Sequence, residues 1–396
     1  MTLFKMGNAA YIKEKNKRHI LQCIKEHGPI ARSRISETLH LSKPTVSALV
    51  EELLHEGWVR EEGNGDAGQL GGRKPIYLTF NSRAAYIFGV DIGGTKTLTA
   101  VSDLAGNILG TREFPTQDNL QYGLLKKVQK HVQELLLEQQ ISEDRVLGIG
   151  IGAPGTTDIV QGTVIDAPSL NWHDYPLQNE ASALFPFPVF IDNDVNVAVL
   201  GEQWLGSAKN MSNVVLISIG TGIGCGIMIN GQLYRGASFA AGEIGYLVTD
   251  KNEAKKHTKR AFEGYGFLDS FTGGPAIVAK MQEALGDKAI QELTAKDVFD
   301  LAKSGDQTAL AVTEEVVDHI GFAIANVISI INPEAVILGG GISKSSPWYL
   351  PRIEQIVSEF AAVKTVIKTT TCGPNLGVIG AVSLVLREHE SALKTF

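Results

Sequence analysis

Two glycine-rich turns of the same kind, about 130 residues apart, constrain this 396-residue chain more than any other feature. The first, Asp91-Ile92-Gly93-Gly94-Thr95-Lys96, follows the strand-like run Tyr86–Val90 and leads at once into another, Thr97–Ser102. The second, within Ser218–Gly226, sets Gly220-Thr221-Gly222 between two further strand-like runs. Each reads as strand, turn, strand, which excludes the strand-to-helix turn of Rossmann and Walker loops. Glycines let phosphate approach bare backbone, Thr95 and Lys96 add donors, and Asp91 is suited to hold Mg²⁺ through water. A late run, Gly339-Gly340-Gly341, leaves the apolar segment Val336–Leu338 and offers backbone for an adenosine to lie against. Any one of these turns is equally a tight hairpin that needs glycine for itself. Together, in a chain that alternates strand-like and helix-like segments from Tyr86 onward, they predict an α/β fold of two similar lobes closing on a nucleotide.

Between the two turns, the apolar strand Val189–Ile191 ends in Asp192-Asn193-Asp194-Val195-Asn196. Amides and carboxylates fanned out at a strand end suit a sugar's hydroxyls, and Asp194 is placed to remove a hydroxyl proton in phosphoryl transfer. The competing reading is an Asx-rich turn that caps the next helix. Upstream, Gly152-Ala153-Pro154-Gly155 is a turn able to line the same cleft.

The first eighty residues have a different character. They carry 12 Lys/Arg against 9 Asp/Glu, leaving 24 basic and 34 acidic residues for the rest of a chain whose net charge is −7. Three helical patterns succeed one another there. Asn16 is expected to cap the first, which buries Ile20, Leu21 and Ile24 and ends at His27-Gly28-Pro29. The second spans Arg32–Leu39. Ser42 is expected to cap the third, with Pro44 in its first turn and Val46, Leu49, Val50, Leu53 and Leu54 on its apolar face up to about Glu56. Helix, tight turn and helix make a helix-turn-helix. Its recognition helix turns Ser42, Lys43, Thr45 and Ser47 outward, where such helices meet base edges and phosphates. Trp58–Arg60 and Ile76–Leu78 then read as strands of a β-wing whose tip ends in the basic pair Arg73-Lys74, suited to phosphates or a narrow minor groove. Coincidence of the turn, the polar face and the basic wing favours DNA over a protein-interaction module. We place the domain boundary at the Asn81-Ser82-Arg83 hinge, giving residues 1–80 and 81–396.

The three cysteines, Cys23, Cys225 and Cys372, form no CxxC pair, so neither a redox motif nor a thiolate zinc site follows from spacing. No apolar h-region opens the chain and no stretch approaches the ~20 residues of a membrane span, so a cytoplasmic protein without membrane contact is expected.

Taken together, these residues resemble the ROK family of repressors and sugar kinases over nearly the whole chain. Asp91–Lys96 resembles its first phosphate motif and Gly152–Gly155 its sugar-cleft turn. Asn193 and Asp194 resemble its sugar-binding Asn and catalytic Asp. Ile219–Gly245 follows its signature in glycine spacing, with Glu243 as the sugar-contacting acid, and Asn332-Pro333 with Gly339–Gly341 resemble its adenosine region. The resemblance implies an actin-like, sugar-kinase-like body of two lobes behind the winged helix-turn-helix. It implies sugar contacts from Gly155, Asn193, Asp194 and Glu243. It implies nucleotide contacts, if a nucleotide binds, from Asp91, Gly93, Gly94, Thr95, Lys96, Gly220, Thr221, Gly222 and Gly339–Gly341. Two departures stand out. Tyr246 replaces the family's histidine beside the sugar, and Lys251–Phe267 lacks every cysteine of its zinc knuckle, leaving only His257 there. Structural zinc needs four N or S ligands, so no zinc is expected, and no protein-held metal is expected apart from the Mg²⁺ that would accompany ATP. Gly266-Phe267-Leu268-Asp269 resembles the family's GCLE, with Asp269 in place of its sugar-contacting Glu. Family members of this architecture imply a repressor of xylose or related sugar genes, with operator DNA, a sugar effector and a second copy, as dimer or tetramer, for partners. No cofactor is required for that role. A sugar kinase carrying a DNA-binding head, using Mg-ATP and Asp194 as base, is the alternative.

Overall fold

The computed structural model describes residues 9–64, 76–120, 123–256, 266–286 and 292–394. Two compact units divide the chain: residues 1–86 with 103–105, and residues 87–102 with 106–396.

The smaller unit is a winged helix-turn-helix. Its elements are α1 (Ala9–His27), β1 (Ile30–Ala31), α2 (Arg32–Leu39), α3 (Lys43–His55), β2 (Val59–Asn64) and β3 (Ile76–Phe80), with sheet order β1-β3-β2. Helix α1 starts well ahead of Asn16, which therefore lies inside it. Its early residues, including Tyr11 and Ile12, are exposed, so no apolar stripe marks that part of the helix. The short β1, paired with β3 through Ile30↔Leu78, adds a strand to the two expected. Ile20, Ile24, Ile35, Val46, Val50, Leu53 and Leu78 form the core. Ser42 caps α3: its Oγ accepts from the Thr45 amide at 3.3 Å and sits 2.7 Å from the Thr45 hydroxyl. Within this unit, Asn81 Nδ2 donates to the Gly57 carbonyl at 2.8 Å. Arg73 and Lys74, expected at the wing tip, lie outside the described residues.

The larger unit contains two five-stranded sheets. The first holds β4 (Tyr86–Ile92), β5 (Lys96–Asp103), β6 (Ile108–Pro115), β7 (Val146–Ala153) and β11 (Val189–Asn193) in the order β11-β7-β4-β5-β6. Helices α4 (Leu124–Glu138) and α5 (Leu177–Ser182) accompany it, with a small antiparallel sheet of β8 (Thr156–Asp158), β9 (Thr163–Ala167) and β10 (Trp172–Tyr175). The second holds β12 (Val214–Ile219), β13 (Ile223–Ile229), β14 (Gln232–Leu233), β15 (Ala335–Gly339) and β16 (Val366–Thr369) in the order β14-β13-β12-β15-β16. Counted along the chain, both orders are third-second-first-fourth-fifth, so the two lobes share one topology. Around the second sheet lie α7 (Lys251–Lys256), α8 (Asp269–Thr272), α9 (Gly274–Leu285), α10 (Ala295–Lys303), α11 (Gln307–Ile331) and α12 (Ser346–Phe360). Val215, Ile217, Ile277, Phe299, Ile320, Ile324 and Leu338 are buried among them.

Each lobe hands its last helix to the other. Helix α6 (Asp194–Leu205) leaves the first sheet but packs on β13, with Val195 and Val199 over Gly224 and Gly226. Helix α13 (Leu376–Lys394) follows the second sheet but packs on the first, its Val378 and Ala381 carbonyls over Gly89 and Gly150. The two helices cross where Gly380 meets Val197 and Gly201 meets Leu376. Both predicted glycine turns are hairpins between paired strands of this scaffold.

Candidate functional site

A cavity of about 310 Å³ opens between the lobes, at the small end of the ~300–1,000 Å³ range of small-molecule sites. The first glycine turn contributes Gly93 and Gly94, the second Gly220, Thr221 and Gly222. Pro154, Gly155, Asn193, Asp194, Glu243 and Asp269 complete its polar side. Six of the expected nucleotide residues are not part of this lining. Asp91, the last residue but one of β4, has its carboxyl against Gly377 at the start of α13. Thr95 is exposed, and Lys96 donates from Nζ to Glu113 at 3.0 Å. Gly339, Gly340 and Gly341 line no part of it. Gly340, at φ +82°, lies so close to Ile219 that a Cβ would fall 2.2 Å from the Ile219 carbonyl oxygen, so that glycine has a packing reason to be there.

Asn193 ends β11 and does two jobs. Its Oδ1 accepts from the Val195 and Asn196 amides at 2.9 and 3.0 Å, capping α6. Its Nδ2 donates to the Gly155 carbonyl and to Asp194 Oδ1, both at 3.0 Å. The Asx-cap reading of this segment is therefore real, and the same residues face the cavity. Asp194 also accepts from the Val195 amide at 2.9 Å. Burial, then the neighbouring charges of Asp91 and Glu243, push its carboxyl up to about 7 against that hydrogen bond. Burial likewise raises Asp91 to about 6, opposed by Lys96. A carboxyl that titrates near neutrality both donates and accepts hydrogen bonds, which suits a polyol and equally suits a general base.

Glu243 reaches the cavity from the opposite lobe on a turn that only glycine allows. Gly242 has φ +94°, and a Cβ there would stand 1.8 Å from the Cys225 carbonyl oxygen. Burial and then Asp269 raise the Glu243 carboxyl, while a hydrogen bond from Thr156 opposes them. Nothing in the sequence marks Thr156, which β8 brings in from the first lobe. Gln117 is a second unmarked residue: its Nε2 donates to the carbonyls of Gly94 at 2.8 Å and Ser169 at 2.9 Å, tying the first glycine turn to the turn between β9 and β10. Asp269 has both oxygens engaged by backbone, Oδ1 by the Ile223 amide at 2.7 Å and Oδ2 by the Gly266 amide at 2.9 Å. It braces the second turn besides facing the cavity. Tyr246 is 47% exposed and outside the lining. Burial raises its phenol first, then Glu243 and Asp269, so it stands beside the same acidic group.

The residues do not fit a zinc knuckle. The three cysteines lie elsewhere in the chain, and His257 lies outside the described residues. In place of the family's GCLE cysteine, Phe267 is buried, 4.9 Å from the Phe271 ring and 6.5 Å from His319. His319 Nδ1 is occupied by the Thr249 hydroxyl at 2.6 Å. Among the described residues no group of three or more His, Cys, Asp or Glu is arranged for a metal, and no helix is long and apolar enough to cross a membrane.

On the head, the solvent face of α3 shows Lys43, Pro44, Ser47 and Ala48, while Thr45 is half-buried beside its cap. Acids further along are matched locally: Glu51 by Arg32 at 2.9 Å, Glu52 by Lys13 at 2.6 Å and Glu56 by Lys17.

Comparison with known proteins gives this geometry its setting. Residues 87–388 match the ROK family and residues 15–65 the MarR family. The xylose repressor of Bacillus spizizenii is 30% identical over 388 residues, covering 97% of this chain and 98% of that protein. The crystal structure of a ROK family transcriptional regulator, a homologue of the E. coli MLC protein, superposes with a TM-score of 0.78 at 25% identity, covering 97% of this chain and 98% of the other. A ROK family glucokinase from Streptomyces griseus, solved with glucose and AMPPNP, gives a TM-score of 0.67 at 26% identity, covering 76% of this chain and 100% of the kinase. The chain belongs to the ROK family, with a MarR-like winged helix-turn-helix ahead of the family's sugar-kinase-like fold.

Proposed function

We propose that this protein is a cytoplasmic, sugar-responsive transcriptional repressor that binds operator DNA as a dimer or tetramer and changes its operator affinity when a sugar occupies the cleft. The observation that carries this reading is the coverage. A regulator and a xylose repressor match 97% of the chain, whereas the kinase fold is complete within 76% of it. The remainder is the winged head. Xylose is the first effector to try, because a relative that covers 97% of the chain is a xylose repressor. The sugar acts through its different affinities for the states that bind and release DNA. Gly155, Asn193, Asp194 and Glu243 contact it. Tyr246 and Asp269 shape its edge.

The test is fluorescence anisotropy on DNA from the gene's own upstream region at fixed salt, with a panel of pentoses, hexoses and amino sugars. Specific binding altered by one sugar is expected. Specific binding that no sugar alters would remove the effector role. At the DNA surface, Lys43→Ala is expected to weaken binding to all sequences alike and to lower the salt slope by about 1. Ser47→Ala is expected instead to change sequence preference. Titrations between 50 and 200 mM salt separate the two behaviours.

A second reading, ATP-dependent sugar phosphorylation, is favoured by the place of Asp194 in the cavity beside both glycine turns, where burial pushes its carboxyl up to about 7, the range that suits a general base. Mg-ATP would then lie along Gly93–Gly94 and Gly220–Gly222. ADP release with the same sugar panel is expected to stay at background. Turnover abolished by Asp194→Ala would establish the kinase.

A further inference from the structure

Asp192 does not line the cavity and has no exposed surface, yet four donors converge on its carboxylate. Oδ1 accepts from the Asn193 amide at 2.8 Å and from Asn196 Nδ2 at 2.9 Å. Oδ2 accepts from Arg235 Nε at 2.9 Å and Nη2 at 2.6 Å. Asp192 lies on β11, in register with Gly152 of the first sheet. Arg235 follows β14, the edge strand of the second sheet. The ion pair therefore joins the lobes.

What Arg235 carries gives the pair its meaning. The Ala241 amide donates to the Arg235 carbonyl at 3.1 Å, closing residues 235–241 into a loop. Phe239 and Ala241 of that loop line the cavity, and Gly242-Glu243 follow directly. On the other side, Asn193 and Asp194 follow Asp192 directly. One buried contact thus fixes the spacing between the two groups of polar residues that face each other across the cleft. A buried ion pair is a poor device for stability, since apolar residues of similar volume often serve as well. It is a good device for fixing one arrangement, because an arginine fork accepts few geometries.

We propose that Arg235, through Asp192, is a positioning residue for the effector. It sets the Phe239–Glu243 loop against Asn193 and Asp194, and so sets sugar affinity without touching the sugar. This rests on the sugar-regulator reading above.

The test uses the full chain with D-xylose and D-glucose as titrants in calorimetry, alongside DNA affinity without sugar and the melting temperature. Arg235→Gln is expected to raise the sugar Kd by about tenfold to a hundredfold, the range found when partners that orient metal ligands are lost. DNA affinity without sugar is expected to stay within about twofold. Arg235→Lys, which keeps the charge but not the fork, is expected to fall between. Asp192→Asn combined with Arg235→Gln removes the stranded charge, so the melting temperature is expected to recover while sugar affinity does not. Unchanged sugar affinity in Arg235→Gln beside a wild type that binds would overturn the proposal. So would recovery of sugar affinity in step with the melting temperature, which would make the pair merely structural. A wild type that binds neither these sugars nor any other pentose, hexose or amino sugar would instead overturn the sugar-regulator reading itself.

Discussion

Replacing Gly380 by alanine is expected to lower the melting temperature of the larger unit by roughly 5–10 °C, with a loss of about 3 kcal/mol. The crossing of α6 and α13 leaves no room for a methyl group. A Cβ on Gly380 would stand 1.7 Å from the Val197 carbonyl oxygen, 2.4 Å from its carbon and 3.1 Å from the Ala198 nitrogen. All three are helix backbone, so no side-chain rotation relieves the clash and the helices must separate. Separation would disturb the buried cluster of Val197, Val199, Leu200, Val214, Leu216, Met228, Ile337 and Leu384 that the crossing seals. Gly321→Ala is the control. That glycine is also helical, but the nearest atoms its Cβ would meet belong to the Ile356 side chain, the movable Cδ1 at 2.7 Å and Cβ and Cγ2 at 3.1 Å. A side chain can adjust, and alanine favours helix by about 1 kcal/mol over glycine. Calorimetric scans of both variants decide the matter. Equal, small shifts would show that the crossing tolerates separation and is not the fixed point between lobes.

How far the sequence discloses this arrangement depends on the range of each interaction. The head was legible because its signals are local. Ser42, Pro44 and the spacing of Val46, Leu49, Val50 and Leu53 define α3 without reference to the rest of the chain. The early part of α1 was not, because Tyr11 and Ile12 are exposed and carry no periodic pattern. Both glycine hairpins were legible for the same local reason, and so was the polar end of β11. The exchange of α6 and α13 between sheets was hidden. It depends on contacts such as Gly150 with Ala381, which leave no spacing signal. Among the expected nucleotide residues, Gly93, Gly94 and Gly220–Gly222 come together at the cavity, but Gly340 is held by Ile219. A glycine that packs and a glycine that binds look alike in a sequence. Arg235 and Thr156 carry no motif, and only the fold sets them beside Asp192 and Glu243.

Glu202 supplies the second large effect, and one that depends on pH. It lies on α6 with no exposed surface, and its carboxylate gathers the turn that leads from β16 into α13. Oε1 accepts from the Thr370 hydroxyl at 2.5 Å and from the Thr371 and Cys372 amides at 3.0 and 3.2 Å. Oε2 accepts from the amide and hydroxyl of Ser207, both at 2.7 Å. Burial works against the charged form, but these donors outweigh it and hold the carboxyl below its ordinary value. A depressed carboxyl contributes stability that is fully present above the unfolded pKa, about 4.3, and is lost as pH falls through the lower folded pKa. Glu202→Gln replaces one acceptor by an amide that faces donors. About 2–4 kcal/mol should be lost at pH 7, the range for breaking a buried charged network. The variant has no carboxylate to protonate, so its deficit relative to wild type should be full at pH 7 and pH 6. It should shrink as the medium is taken below about pH 4, where the glutamate of the unfolded wild-type chain takes up a proton that folded Glu202 resists. Melting temperatures of both proteins across that series test the point. A deficit that stays constant down to pH 3 would mean that the glutamate holds the turn by shape alone, not by its charge.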